Sequence, residues 1–161
     1  RRRGRRWLRR SAEGIEPLPE RPKPADREVY DDPISFPDRA REGVALFNGG
    51  EYWESHEAWE DIWREGNPTE RLFYQGLIQV AAGFVKIQKV WHAPAVLNLQ
   101  KGLSNLEVLG DPDVPIDLPA FVRETRAVLE NLKALGRVRF EEEAWTRWRK
   151  IAHRPEEPRR I

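Results

Sequence analysis

The chain has 161 residues, of which 39% are hydrophobic and 34% charged, so it is long enough for one domain with a buried core. It contains no cysteine, which excludes disulfides, thiolate catalysis and cysteine-ligated zinc sites. No apolar run approaches the roughly 18 residues of a membrane span, and the composition fits a reducing compartment, so we expect a cytoplasmic protein without a membrane span.

The formal net charge of +1 conceals a strongly basic start. Residues 1–10 read RRRGRRWLRR and hold seven arginines, which leaves the rest of the chain at −6. Such an arm can bind the phosphates of nucleic acid, and the alternative is an extension without a partner. Residues 11–34 add five prolines, so residues 1–34 are predicted to be a basic, proline-rich and disordered extension. A helical domain over residues 35–136 and a C-terminal amphipathic helix with a tail over residues 137–161 are predicted to follow.

Helical periodicity and cap signals divide the remainder into five or six helices. Ser35 marks the start of the first helix and Gly49 its end, while residues 67–70 (NPTE) begin the third with an N-cap, a proline and an acidic residue. Gly136 ends the fifth. The predicted helices cover residues 37–48, 51–64, 68–90, 93–109, 118–135 and 140–151. No segment shows the alternation of a strand, so the sequence predicts an all-α, multihelical bundle.

The third predicted helix is apolar on nearly every side, which is typical of a central buried helix. One stripe differs, since Gln75, Gln79 and Lys86 lie on it, bordered by Gly76 and Gly83. Small and polar residues together predict either the close approach of another helix or a polar cavity. Lys86, at the end of the stripe, is expected either to pair with a carboxylate or to extend to solvent.

The second predicted helix concentrates aromatic and acidic residues and reads YWESHEAWEDIWR over residues 52–64. At about 100° per residue, one narrow stripe contains Tyr52, His56, Trp59 and Trp63, and Glu60 lies at its edge. This stripe should be buried, and all the tryptophans of the helix, Trp53 included, are predicted to lie in the core. The remaining acidic side chains point away from the stripe: Glu54, Glu57 and Asp61.

A histidine and a carboxylate lie four residues apart on this stripe. Side chains at that spacing project from neighbouring turns, so His56 and Glu60 have the spacing of two metal ligands. Two ligands are too few for a closed site, and Gln75 or Gln79 could add an oxygen for a hard divalent cation. The pattern leaves open a buried structural network around His56 and acid–base chemistry by Glu60. The residues predicted to line such a pocket are Tyr52, Trp59, Trp63, Gln75, Gln79 and Lys86.

Two blocks of sequence stand out, LFNGGEYWESHEAWEDIWR at residues 46–64 and QGLIQVAAG at residues 75–83. Together they resemble the bacterial and archaeal family called domain of unknown function 309, over residues 36–110 and more loosely to residue 135. The family motif, His-x-x-x-Glu-x-x-(Trp/Tyr), falls on His56, Glu60 and Trp63. The resemblance implies an all-helical fold and a metal site that includes the histidine and the glutamate.

The residues name no substrate, since a phosphate-binding loop, a nucleophile elbow and a dinucleotide fingerprint are absent from the sequence. The first hypothesis is a small metal-dependent hydrolase in which His56 and Glu60 bind a divalent metal ion, or Glu60 acts as the catalytic base. The second is a non-catalytic helical binding or scaffold module, in which both residues form a structural network. The sequence leaves open whether the protein is an enzyme, and its aromatic content favours a homodimer.

Overall fold

The computed structural model describes residues 30–152, with side chains described to residue 144. The described residues do not include the predicted arginine-rich arm, almost all of the proline-rich linker or the end of the C-terminal tail. The predicted binding of nucleic acid by the arm therefore stays a prediction. The predicted division of the chain into an extension, a helical domain and a C-terminal segment therefore stays a prediction.

Five helical elements follow one another along the described chain. They are α1 (Asp38–Asn48), α2 (Tyr52–Trp63), α3 (Pro68–Gln88), α4 (His92–Leu109) and α5 (Leu118–Ala152). No strand occurs within residues 30–152, and the predicted all-α bundle is confirmed. α5 is interrupted at Gly136, where φ is 68° and ψ is 169°, so its two segments correspond to the predicted fifth and sixth helices. None of the helices described is long and apolar enough to cross a membrane.

α3 begins at the cap that the sequence predicts. The side chain of Asn67 accepts a hydrogen bond from the backbone N–H of Glu70 at 2.9 Å. The carboxylate of Glu70 in turn accepts a hydrogen bond from the backbone N–H of Asn67 at 2.9 Å, and Pro68 occupies the first helical position. This reciprocal capping box satisfies N–H groups that would otherwise have no partner in the first turn.

The prediction that Ser35 marks the start of α1 is wrong, because its side chain joins the preceding segment to α3. Pro37 holds the N-cap position of α1 and makes no side-chain cap hydrogen bond. The backbone N–H and the hydroxyl of Ser35 both donate to Glu70. Burial tends to raise the pKa of Glu70, but the hydrogen bonds from Ser35 and Asn67 outweigh burial and hold the pKa below its usual value. One carboxylate thus caps α3 and anchors the chain before α1.

α3 is the central helix of the bundle, as the sequence predicts. It packs against α2 on one side and α4 on another, while α1 packs on α2 and α5 packs on α4. Leu72, Phe73, Leu77 and Val80 of α3 are almost completely buried. All five helices contribute side chains to the main cluster of buried apolar residues, so the described bundle has a single hydrophobic core.

Glycines allow α3 and α4 to lie in close contact. A Cβ atom at Gly102 of α4 would lie 2.8 Å from the carbonyl oxygen of Gly76 and 2.9 Å from the backbone nitrogen of Val80, both on α3. A Cβ atom at Gly83 would lie 2.6 Å from the side chain of Leu99. The close helix approach predicted for the stripe that Gly76 and Gly83 border is therefore confirmed, with α4 as the partner.

We expect Gly102→Ala to lower the free energy of unfolding by about 1–3 kcal/mol. The added methyl group would meet backbone atoms of α3, which cannot rotate away as the end of a side chain can, so the two helices must separate. Urea denaturation measures the effect. Gly49→Ala is the matched control, because Gly49 has a φ of −79° and an added Cβ there meets only contacts of 3.4 Å and 3.5 Å. Equal effects from the two substitutions would contradict a tight α3–α4 crossing.

Candidate functional site

α2 turns the predicted stripe toward the protein interior. Trp59 is 1% exposed, His56 5% and Trp63 7%, and Tyr52 is half-buried. The acidic residues predicted to point away are all exposed: Glu54, Glu57 and Asp61. The prediction that Trp53 lies in the core is wrong, since its side chain is 37% exposed. Because Trp53 directly follows Tyr52, it lies about 100° around the helix and falls at the edge of the buried face.

The imidazole of His56 lies between the core and this exposed indole. Its ring stacks on the ring of Trp53, with centroids 5.6 Å apart and planes inclined by 12°. Burial, and after it the positive charge of Lys86, lowers the pKa of His56 to about 4. The ring is therefore neutral at neutral pH, which is the form that binds a metal ion or accepts a proton.

Glu60 lies one turn further along α2 and is partly shielded from solvent. Its carboxylate pairs with Arg64 at 3.8 Å, and its side chain is 21% exposed. Burial raises the pKa of Glu60 and outweighs the opposite effect of Arg64, while the negative charges of Asp61 and Glu57 add to the rise. The site on α2 thus combines a neutral imidazole with a carboxyl group that holds a proton more readily than one in water.

Lys86 lies near His56 and against the turn between α3 and α4. Its ammonium nitrogen is 4.9 Å from the centroid of the Trp91 ring, and that of Lys89 is 5.2 Å from the same centroid. Burial, and then the charge of Lys89, lowers the pKa of Lys86. Both lysines therefore make cation–π contacts with the exposed ring of Trp91. Lys86 also contributes a positive charge to the surroundings of His56.

Gln75 and Gln79 have different surroundings, although they lie one turn apart on α3. The side-chain oxygen of Gln79 accepts a hydrogen bond from the amide of Asn105 on α4, at 2.9 Å. Gln75 is 7% exposed, and its buried side-chain oxygen has no hydrogen-bond partner in the described structure. A buried carbonyl oxygen without a donor costs about 1–3 kcal/mol unless something binds it. Of the two glutamines, Gln75 is therefore the one whose side-chain oxygen lacks a donor in the described structure.

The metal site predicted from the sequence would draw its donor atoms from α2 and α3. Within the part of the chain that the structure describes, no group of three or more His, Cys, Asp and Glu side chains is arranged to hold a metal ion. His56 and Glu60 supply two donors of the right chemistry, and Gln75 offers an oxygen on the helix that packs against α2. A closed structural zinc site needs four ligands, and His, Cys, Asp and Glu side chains of the described residues do not supply them here.

His92 has a structural role at the start of α4. A ring nitrogen of His92 forms a hydrogen bond of 2.6 Å with the carbonyl oxygen of Leu132, and the ring centroid lies 5.6 Å from that of Phe140. Both partners belong to α5. The side chain of His92 therefore joins the start of α4 to α5.

A cavity of about 290 Å³ opens where the first three helices meet the start of α5. Of the residues predicted to line a pocket, Trp59 lines this cavity, and Tyr52, Trp63, Gln75, Gln79 and Lys86 do not. Phe121 and Glu124 of α5 form part of its wall. Sequence reasoning missed them, because they follow Trp59 by more than fifty positions and no local pattern connects them.

The fold and the site together define a small all-helical domain. A buried histidine and a partly buried glutamate lie one turn apart on α2, which packs against the central helix α3. Residues 40–97 match the model of the family described as Domain of unknown function (DUF309). The match confirms the resemblance predicted from the sequence over these residues, which are fewer than the predicted 36–110. It covers most of α1, all of α2 and α3, and the start of α4. No curated protein and no solved structure matches the chain.

Proposed function

We propose that the site on α2 binds a divalent metal ion and that the protein is a small metal-dependent hydrolase. The observation that carries the proposal is the neutral, buried imidazole of His56 one turn before the partly buried carboxylate of Glu60. Metal binding at neutral pH normally competes with protonation of the ligand. An imidazole whose pKa is about 4 is neutral there, so protonation of the ring does not compete with metal binding.

The proposed roles follow from the surroundings of each group. His56 and Glu60 would hold the ion, and Gln75 is the candidate third ligand because its buried oxygen has no hydrogen-bond donor. A divalent ion, whose identity the residues do not specify, would supply a bound water of lowered pKa. The alternative role for Glu60 is that of a base rather than a ligand, because its raised pKa suits the carboxylate to take up a proton from that water.

Protein purified without a histidine tag is expected to bind about one divalent ion per chain. Elemental analysis and titration calorimetry with Zn²⁺, Mn²⁺ and Mg²⁺ measure this binding. His56→Ala and Glu60→Gln should weaken it at least tenfold, whereas the matched control Glu54→Gln should not, because Glu54 is an exposed carboxyl group on the same helix that points away from the stripe. A metal content near zero, or one that His56→Ala leaves unchanged, would contradict the proposal.

One contact favours a second candidate, a non-catalytic helical binding or scaffold module. The stacking of His56 on Trp53 and the 5% exposure of His56 are also what a structural buried network requires. Under this alternative, His56→Ala destabilises the fold and the metal titration shows no binding that depends on His56. The same experiment therefore separates the two candidates. The homodimer and the cytoplasmic location stay predictions.

A further inference from the structure

The cavity beside Trp59 combines an aromatic wall with an acidic rim. Phe47 of α1 and Phe121 of α5, both half-buried, and Trp59 of α2, which is 1% exposed, supply the aromatic wall, and aliphatic side chains complete the apolar lining. Asp117 and Glu124 supply the acidic groups. Because neither His56 nor Glu60 lines the cavity, what it binds is independent of the proposed metal site.

The three rings of the aromatic wall support one another. The ring centroid of Phe47 lies 5.9 Å from that of Trp59 and 5.5 Å from that of Phe121. The indole N–H of Trp59 donates to the carbonyl oxygen of Ala40 at 3.2 Å, which fixes the orientation of that ring. Aromatic faces attract cations through their quadrupole, and more strongly where water is displaced. Rings held together around a cavity therefore favour an occupant with a positive charge and an apolar surface.

The charged groups that line the cavity favour the same occupant. Asp117 precedes α5 and accepts a hydrogen bond from the backbone N–H of Ala120 at 2.8 Å, which positions its carboxyl group at the cavity. Glu124 lies about two turns further along α5 and is exposed. Among the described residues that line the cavity, there is no Lys, Arg or His. The lining therefore attracts a cation and repels an anion.

We propose that this cavity binds a free organic ammonium ion. The alkyl groups on the nitrogen would contact the aromatic wall, while Asp117 and Glu124 would face the positive charge. The volume of about 290 Å³ is close to the lower end of the roughly 300–1,000 Å³ range of small-molecule sites. A simple metal cation lacks the apolar surface that this wall matches, so the ligand class is an alkylated amine or a quaternary ammonium compound.

Choline and 3,3-dimethyl-1-butanol are matched probes, because they share one shape and differ in the charged nitrogen. In NMR titrations of the full chain, choline is expected to give saturable shifts that include the indole N–H of Trp59. Its affinity should exceed that of the neutral alcohol at least tenfold, and the larger benzyltrimethylammonium ion should bind as well. Binding should also weaken as salt concentration rises, since part of the attraction is electrostatic.

Two sets of variants test the two parts of the lining separately. The double variant Asp117→Asn, Glu124→Gln should weaken choline binding at least tenfold, and asparagine can still cap α5. Glu141→Gln is the matched control, because Glu141 is an exposed carboxyl group on the same helix that does not line the cavity. Phe121→Leu keeps an apolar side chain and removes one ring, so it should weaken binding of choline but not of the alcohol.

Three results would overturn the ammonium site. The first is that the neutral alcohol binds as tightly as choline, and the second is that the double variant keeps its affinity for choline. The third is that neither choline nor benzyltrimethylammonium produces saturable NMR shifts. Circular dichroism and thermal denaturation of each variant show that it is folded, so a loss of binding is assigned to the substituted groups. None of these results bears on metal binding by His56.

Discussion

Acidification from pH 7 to pH 4 is expected to remove about 3 kcal/mol of stability through His56 alone. Burial lowers the pKa of His56 from the ordinary value of 6.5 to about 4 in the folded protein. As the pH falls below 6.5, the unfolded chain therefore takes up a proton that the folded chain does not. The contribution is fully present above pH 6.5 and is lost progressively down to about pH 4.

Urea denaturation of the wild type and of His56→Gln at both pH values measures this contribution. Glutamine keeps a polar side chain but does not titrate. Other groups titrate in both proteins: the raised pKa of Glu60 acts in the opposite direction, and the lowered pKa of Glu70 acts in the same direction as His56. The difference between the two proteins isolates the histidine. The same acid sensitivity in both would show that His56 is not desolvated in the folded state.

Trp59→Ala is expected to lower the free energy of unfolding by about 3–5 kcal/mol. Trp59 is 1% exposed, and its indole N–H donates to the carbonyl oxygen of Ala40. Its ring also fills the space above Gly43, where an added Cβ would lie only 2.3 Å from the indole nitrogen. Alanine would leave a large void among α1, α2 and α3 that the surrounding rings cannot fill. Urea denaturation measures the loss.

Trp53→Ala is the matched control on the same helix. Trp53 is 37% exposed and stacks on His56, so we expect a loss of about 1 kcal/mol. The comparison separates burial from residue type, because both substitutions remove an indole from α2. If the two variants were equally stable, the assignment of Trp59 to the core would be wrong.

Local sequence patterns predicted the helices and the face that α2 buries. The N-cap of α3 was predictable because Asn67 and Glu70 interact across a single turn, and no distant residue is needed for that contact. The stripe of His56, Trp59 and Trp63 was predictable because the helical period alone places these side chains together. Trp53 was the exception, because it lies about 100° from Tyr52 at the edge of the stripe, and at an edge the helical period does not decide whether a neighbouring helix covers the side chain.

The sequence by itself therefore determined an all-α fold with a central α3, a buried histidine four residues before a glutamate, and the family to which residues 40–97 are matched. Only the tertiary structure separated Gln79, which bonds Asn105, from Gln75, whose oxygen has no donor. It also brought the start of α5 to the cavity that Trp59 and Phe121 line. These features join residues more than twenty positions apart, and local periodicity says which face of a helix is buried but not which helix covers it.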